Sequence, residues 1–412
     1  MLSKGVEERK DIPKEFTWDL ESLFENIEVW EAEFKDVAKR AEDFPKHAGE
    51  FTKNSKSLLE TIKNLETLSR KMRNIYSYTS LKLDEDTRIG DNQSLSRALN
   101  LYVQVSSATS FFEPELLTLD EETVEKYMEE NQELKKYNQF FDNLLRAKDH
   151  VLTAREESIL AQSGELGAAP QKIYSMLNDA DIKFPRIKDE DGNDVELTKA
   201  NFIPFMESKD REVRKTAFQE LYSVYESFKN TFAAILDGDL KNNIFNANIR
   251  NYNSTREASL DRNNIPLTVY DNLIKAVHDN LDAMYKYMDI RKRALNLGEL
   301  HMYDIYTPMV QDIDFNIPYD DAKELIKKGL APLGDEYLAV VNEGFSSRWI
   351  DVYENRGKRS GGYSGGSYDS KPYILLNYKD TLNDVFTLAH EMGHSLHSYF
   401  SRENQPFIYC LR

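Results

Sequence analysis

The run LAHEMGHSLH, from Leu388 to His397, holds the side chains best suited to chemistry in this 412-residue sequence. Residues four apart on a helix share one face about 6 Å from each other, so His390 and His394 can turn a ring nitrogen to one metal ion. Glu391 follows His390 by ~100° around the helix and lies beside such an ion, where a carboxylate can take a proton from water as that water attacks a carbonyl. Hydrolysis of a peptide bond is the chemistry that HExxH spacing serves, with zinc as the cofactor and Glu391 as general base. The motif leaves one question open, since a zinc site takes a third protein ligand.

His397 offers a third imidazole, but on a straight helix it stands roughly 10 Å along the axis from His390, too far to close on one ion with bonds of about 2 Å. The glycine turn that solves this in HExxHxxGxxH is absent, because His397 holds the glycine position and Phe400 the last histidine. His397 reads instead as a supporting or packing residue. Glu403 follows His394 too soon to come from a separate helix, and His47, His150, His278 and His301 are isolated and read as structural.

The element that must position the motif is also visible. Val385, Leu388, Met392, Leu396 and Tyr399 recur at three and four residues, which makes an apolar stripe opposite the histidines. Thr381 or Asn383 suits the helix start, and Gly393 leaves room for close approach. Before the helix, GKRSGGYSGGSYDSKPYILLNY spans Gly357 to Tyr378, a glycine-rich loop followed by an apolar run that reads as a buried or edge strand. It matches neither a P-loop nor a GxGxxG turn, so a phosphate cradle is excluded. An edge strand beside the active helix can hold a peptide main chain by β-augmentation.

Upstream, residues 12 to 177 read as successive amphipathic helices. VLTAREESILAQSGELGAAPQKIYSML starts a helix near Thr153 and is expected to break between Gly164 and Pro170. Asp191-Gly192, between short β-favouring pieces, signals a hairpin and a seam between a helical domain, 1–200, and an incomplete catalytic domain, 201–412. Ser208 suits the cap of a long helix that Asp237-Gly238-Asp239 interrupts, and further helices are expected over 266–297 and 319–343.

Composition narrows the partners. A formal net charge of -18 opposes a phosphate backbone, so nucleic acid is not an expected partner. The longest apolar runs fall far short of the roughly 20 residues of a membrane span, and the charged N-terminus shows no export address. With Cys410 alone, a reducing compartment and the cytoplasm are expected.

The run SGGYSGGSYDSKPYILLNYKDTLNDVFTLAHEMGHSLHSYFSRENQP resembles the oligoendopeptidase F family, related to the thimet-oligopeptidase type of zinc metallopeptidases. The likeness extends through IPLTVYDNLIKAVHDNLDAMYKYMDIRKRALNLGELHMYDIY and LTAREESILAQSGELGAAPQKIYSMLNDADIKF to IPKEFTWDLESLFENIEVWEAEF, nearly the whole chain. It implies a mainly α, two-lobed fold around a deep channel, with a small β-sheet beside the active-site helix. It further implies a zinc-dependent endopeptidase that hydrolyses internal bonds of short oligopeptides, with His390 and His394 on zinc and Glu391 as base. Gly362 to Ser367 and Tyr373 to Asn377 would line the substrate path, with Tyr363, Ser364, Gly365, Tyr373 and Leu375 touching the peptide.

The family supplies its third zinc ligand, a glutamate, from a helix beyond the second histidine, and this sequence diverges after QPFIY. The resemblance therefore leads us to expect a C-terminally truncated member. Its alternative role is a non-catalytic fragment or a peptide-binding half, served by a complementing C-terminal segment.

Overall fold

The computed structural model describes residues 6–88, 92–310 and 316–410. Helices dominate, in line with the expected mainly α class. The first layer is built by α1 (Ile27–Asp43), α2 (Ser55–Glu85) and α3 (Asn92–Thr109). The amphipathic faces of these helices close on Trp30, Val37, Met72, Ile75 and Leu101. Shorter helices α4 (Phe112–Leu116), α5 (Glu121–Glu130) and α6 (Asn138–Arg146) pack a neighbouring core around Phe51, Leu58 and Phe141.

Helix α7 (Ala154–Ser175) begins where expected, on a capping box between Thr153 and Glu156, but it runs unbroken through Gly164 to Pro170. The reason lies in its neighbours. After α8 (Phe202–Glu207) and α9 (Arg211–Ser227), helix α10 (Lys229–Ile249) also runs unbroken, through Asp237-Gly238-Asp239. A Cβ on Gly167 would come within 2.8 Å of Asn242 Oδ1, and one on Gly238 within 3.2 Å of Pro170 Cγ. These glycines therefore let α7 and α10 approach closely, and do not end either helix. The long helix expected after Ser208 is two, α9 and α10, which part at Phe228, and Asp210 caps the first of them through the Glu212 amide. Ser208 instead closes α8.

Strands β1 (Arg186–Lys188) and β2 (Asp194–Glu196) form the hairpin read at Asp191-Gly192, with Gly192 at φ 80°. Each of the two later helical stretches divides. One becomes α12 (Leu267–Asp279) and α13 (Leu281–Ala294), which follow the short α11 (Thr255–Asp261). The other becomes α14 (Tyr319–Leu330) and α15 (Asp335–Ser346), parted by a turn at Gly334 with φ 95°.

The part of the fold that positions the motif is a three-stranded sheet and α16 (Leu382–Asn404). The sheet order is β3 (Ile350–Asp351), β5 (Tyr373–Leu375), β4 (Tyr363–Gly365), with β3 parallel and β4 antiparallel to β5. The apolar run after Pro372 thus supplies the central strand. The edge strand beside α16 comes from inside the segment expected to be only a glycine-rich loop.

Successive strand residues face opposite sides, and this alternation explains the layering. Ile374 and Leu376 face a core with Trp349, Val341 and the stripe Val385, Leu388, Met392 and Leu396 of α16. Tyr373 and Leu375 face the other way, onto Trp18, Leu20 and Leu81. The outer side of β3 is covered by the N-terminal segment, where the Val352 amide donates to the Phe16 carbonyl and the Asp19 amide to that of Arg348. Among the described residues no strand pairs with the outer side of β4.

Candidate active site

Helix α16 starts at Leu382, where Thr381 and Asp384 form a reciprocal cap: the Thr381 hydroxyl accepts from the Asp384 amide and the Asp384 carboxylate from the Thr381 amide. The cap fixes the first turn, and the apolar stripe fixes which side of the helix is buried. His390 and His394 consequently stand on the exposed side. Their Nε2 atoms lie 3.0 Å apart, with ring centroids 4.6 Å apart and ring planes at 85°. Both Nε2 atoms thus point to one place. Glu391, between them in sequence, is buried at the edge of the core.

The donor set fits zinc as far as two ligands go, since neutral imidazoles one helical turn apart are standard zinc donors. Among the described residues no group of three or more His, Cys, Asp and Glu side chains is placed to hold a metal ion. His397 is exposed and lies outside the 390/394 pair, and Glu403 stays on α16 in its last turn. The space a Cβ would take on Gly393 is open, so no described residue uses the close approach read for it.

The other histidines have local partners. His47 meets the Thr61 hydroxyl, His150 meets the Arg250 carbonyl and stacks on Tyr252, and His301 stacks on Tyr303. His278 sits in the last turn of α12. Burial raises the Cys410 thiol above its ordinary range, against the opposing pull of Arg402, which keeps it from acting as a ready nucleophile.

Of the residues expected to touch a peptide, three lie on the edge strand and two do not reach the surface. Tyr363, Ser364 and Gly365 form β4, half-buried. Tyr373 and Leu375 are fully buried against the N-terminal segment. Both sit on the central strand, where the pleat turns their side chains onto the face packed against Trp18, Leu20 and Leu81.

Strand β4 is tied on both of its faces by residues the motif did not reveal. Ser364 shares a 2.7 Å hydroxyl hydrogen bond with Ser395, which is fully buried on α16 next to His394. On the opposite face the Tyr363 hydroxyl donates to Asp84 of α2 at 2.7 Å, and Arg359 pairs with the same carboxylate. Burial raises the Asp84 carboxyl above the usual range, although Tyr363 and Arg359 pull against it. Ser395 could have been suspected from sequence, since it falls within the apolar stripe and a buried hydroxyl needs a partner. Asp84 gives no such signal.

Beneath the sheet, Asp351 of β3 is fully buried and meets Lys358 Nζ at 2.7 Å, a side chain that is itself fully buried, and Arg9 at 2.9 and 2.5 Å. This buried cluster joins the N-terminal segment, the sheet and the start of the glycine-rich segment.

The model described as Peptidase family M3 matches residues 204–411, and the one described as Oligopeptidase F matches 115–184. Oligopeptidase PepF of Bacillus subtilis is 42% identical over 403 residues, which cover 98% of this chain and 60% of that protein. Group B oligopeptidase PepB of Streptococcus agalactiae is 42% identical over 97% of this chain and 67% of its own length. The crystal structure of oligoendopeptidase-F from Enterococcus faecium superposes with a TM-score of 0.70 at 36% identity, covering 90% of this chain and 63% of that one. The chain thus spans about three fifths to two thirds of the length of these relatives. With a family match over half of its residues and relatives this similar along nearly all of it, the chain belongs to peptidase family M3.

Proposed function

We propose that this chain carries the metal-binding helix and peptide-holding strand of a zinc-dependent endopeptidase that cleaves internal bonds of short oligopeptides. The carrying observation is the 3.0 Å approach of His390 and His394 Nε2 on the exposed face of α16, with Glu391 next to His390 in sequence and buried. His390 and His394 would hold the zinc ion. Such an ion, when bound, supplies a Lewis acid that polarises a scissile carbonyl and acidifies water. Glu391 receives the proton from the attacking water and passes it to the leaving amine. Strand β4 offers its unpaired outer side to an extended peptide as a further antiparallel or parallel partner, which selects unfolded segments over folded proteins.

In this reading residues 1–200 form a helical lobe and 201–412 the part of the catalytic lobe present here, with the substrate channel between them. Free oligopeptides are the substrates, and the cytoplasm is the compartment, a reading supported by the single cysteine. No helix among the described residues is long and apolar enough to cross a membrane.

A second reading, which the family relationship does not favour, starts from the two described imidazole donors alone. In it the chain is a peptide-binding half that needs a further polypeptide to complete its metal site. Zinc competition against a chelator of known affinity separates the two. Tight one-to-one binding that is lost in His394→Ala, with chelator-sensitive cleavage of a quenched fluorescent peptide, supports the enzyme. Peptide binding without tight zinc or cleavage supports the half-site.

A further inference from the structure

The helical layer holds a cavity that plays no part in the metal-binding motif. Its volume is about 440 Å³, and it lies between α2, α3, α4, α6, α7 and α10, with Phe407 and Ile408 closing one side. No described residue of the three-stranded sheet or of α16 lines it. Ile62, Leu65, Phe112, Phe140 and Leu160 give it apolar walls, and three carboxylates, Glu66, Glu113 and Glu157, reach it from three different helices. A concave space with apolar walls and a few convergent polar groups is the usual form of a small-molecule site. A smaller cavity of about 120 Å³ at the β1–β2 seam offers less, because Lys199, Arg356 and Lys358 there are each already paired with a carboxylate.

In the larger cavity the donors are spent and the acceptors are not. Arg250 gives both terminal nitrogens to Glu157 at 2.8 Å. The Thr109 and Ser110 hydroxyls donate to the carbonyls of Val105 and Ser107, and the Asn246 amide nitrogen donates to the carbonyl and side-chain oxygens of Asn242, which leaves all three with acceptor capacity only. Glu66 accepts from the Tyr137 hydroxyl at 2.9 Å through one oxygen, while its other oxygen is buried with no partner. Glu113 accepts no side-chain hydrogen bond among the described residues, and burial together with the Glu157 charge raises its carboxyl above the ordinary range, against the pull of Arg250. Carboxylates left in this way favour a ligand that brings positive charge and several N–H donors at once.

We propose that this cavity binds a primary ammonium carried on an apolar body, with the ammonium held by Glu113 and Glu66 and the body against Phe112, Phe140 and Leu160. An ammonium has three donors and no acceptor, which matches the acceptor-rich lining, and an aromatic body adds ring contacts. A free amine and the amino terminus of a peptide both present this cation, and the same lining serves either. The inference needs neither a metal ion nor cleavage, so loss of the histidine pair leaves it intact.

Calorimetric titration of the 412-residue chain compares phenethylamine with phenethyl alcohol, which has the same body and no charge. The amine should bind at least about tenfold more tightly, the equivalent of one charge-assisted hydrogen bond. Glu113→Gln should cut that preference to about threefold or less while the alcohol binds as before, which shows that the cavity is intact. Ala161→Phe, on the α7 wall, should abolish binding of both. An Ala161→Phe variant that still binds the amine would place it elsewhere on a chain of net charge -18 and overturn the proposal. No binding of the amine, equal affinity for amine and alcohol, or equal loss of both in Glu113→Gln would also overturn it. Phe-Ala amide then identifies the carrier: affinity equal to that of phenethylamine assigns the cavity to peptide amino termini, and rejection by about tenfold or more assigns it to free amines.

Discussion

Replacing Asp351 by Asn tests whether the sheet beneath the motif depends on a buried charge cluster. Burial alone would push the Asp351 carboxyl up and the Lys358 ammonium down, but two cations on one carboxylate outweigh that and hold Asp351 below the usual range. Asparagine keeps the shape and removes the charge. Lys358 then retains the Tyr353 carbonyl at 2.6 Å and Arg9 retains Glu85, yet the fully buried ammonium loses its counter-charge. Stranding one member of a buried pair costs about 3 to 5 kcal/mol, and the remaining carbonyl partner places this site at the lower end. Native-state hydrogen exchange at Tyr373–Leu375 reads the effect locally, without assuming that a chain of this size unfolds in one step. About 3 kcal/mol corresponds to exchange roughly a hundredfold faster. Lys358→Met in the same background removes the stranded charge and should recover at least about 1 kcal/mol in the double-mutant cycle. The sign with pH is fixed: a carboxyl with a lowered folded pKa contributes stability above about pH 4 and loses it as pH falls through the folded value. The gap between wild type and Asp351→Asn must therefore be full at neutral pH and close in acid. A loss under about 1 kcal/mol at pH 7, or no recovery with Lys358→Met, refutes the argument.

Tyr363→Phe removes a hydrogen bond to a buried carboxylate. It should cost about 1.5 to 3 kcal/mol at neutral pH, read locally by native-state hydrogen exchange over Tyr363–Gly365. The phenol stabilises the ionised form of Asp84, whose folded pKa burial raises above the ordinary carboxylate range, so the penalty must be full above that raised value and shrink as pH falls through it. Equal penalties at both ends would exclude Asp84 as the partner. Ser395→Ala strands the Ser364 hydroxyl at a cost of about 1 kcal/mol and should speed amide exchange in Tyr363–Gly365 while α16 keeps its protection. Unchanged exchange in β4 would show that the serine pair does not hold the strand.

The local features of this chain were legible in its sequence. The α16 stripe, its Thr381 cap and the Asp191-Gly192 hairpin each depend on spacing within a few residues, and each stands where the spacing put it. Glycine was misread twice, at Gly164–Pro170 and at Gly238, because a glycine that ends a helix and one that admits a neighbouring helix look the same until the neighbour is known. The strand Tyr373–Leu375 was found but its facing was not. A continuous apolar run is buried on both faces, so Tyr373 and Leu375 belong to a second core, made with Trp18 and Leu81 from more than 290 positions earlier in the chain.

That non-local packing also explains how a short edge strand can serve a metal-binding helix. Three residues of β4 have too few ladder bonds to be rigid alone. Their position is fixed from outside: Ser395 ties Ser364 to the helix that carries both histidines, while Asp84 ties Tyr363 to α2. The sheet behind them is fixed in turn by Arg9 and Lys358 on Asp351. The distance between the peptide-holding edge and the histidine pair is therefore set by contacts from the helical N-terminal layer as much as by the motif. It follows that variants at Asp84 or Arg9, far from the motif in sequence, should disturb peptide binding and leave the His390–His394 pair intact. A loss of zinc affinity in those variants equal to their loss of peptide binding would instead place the N-terminal layer's role at the helix.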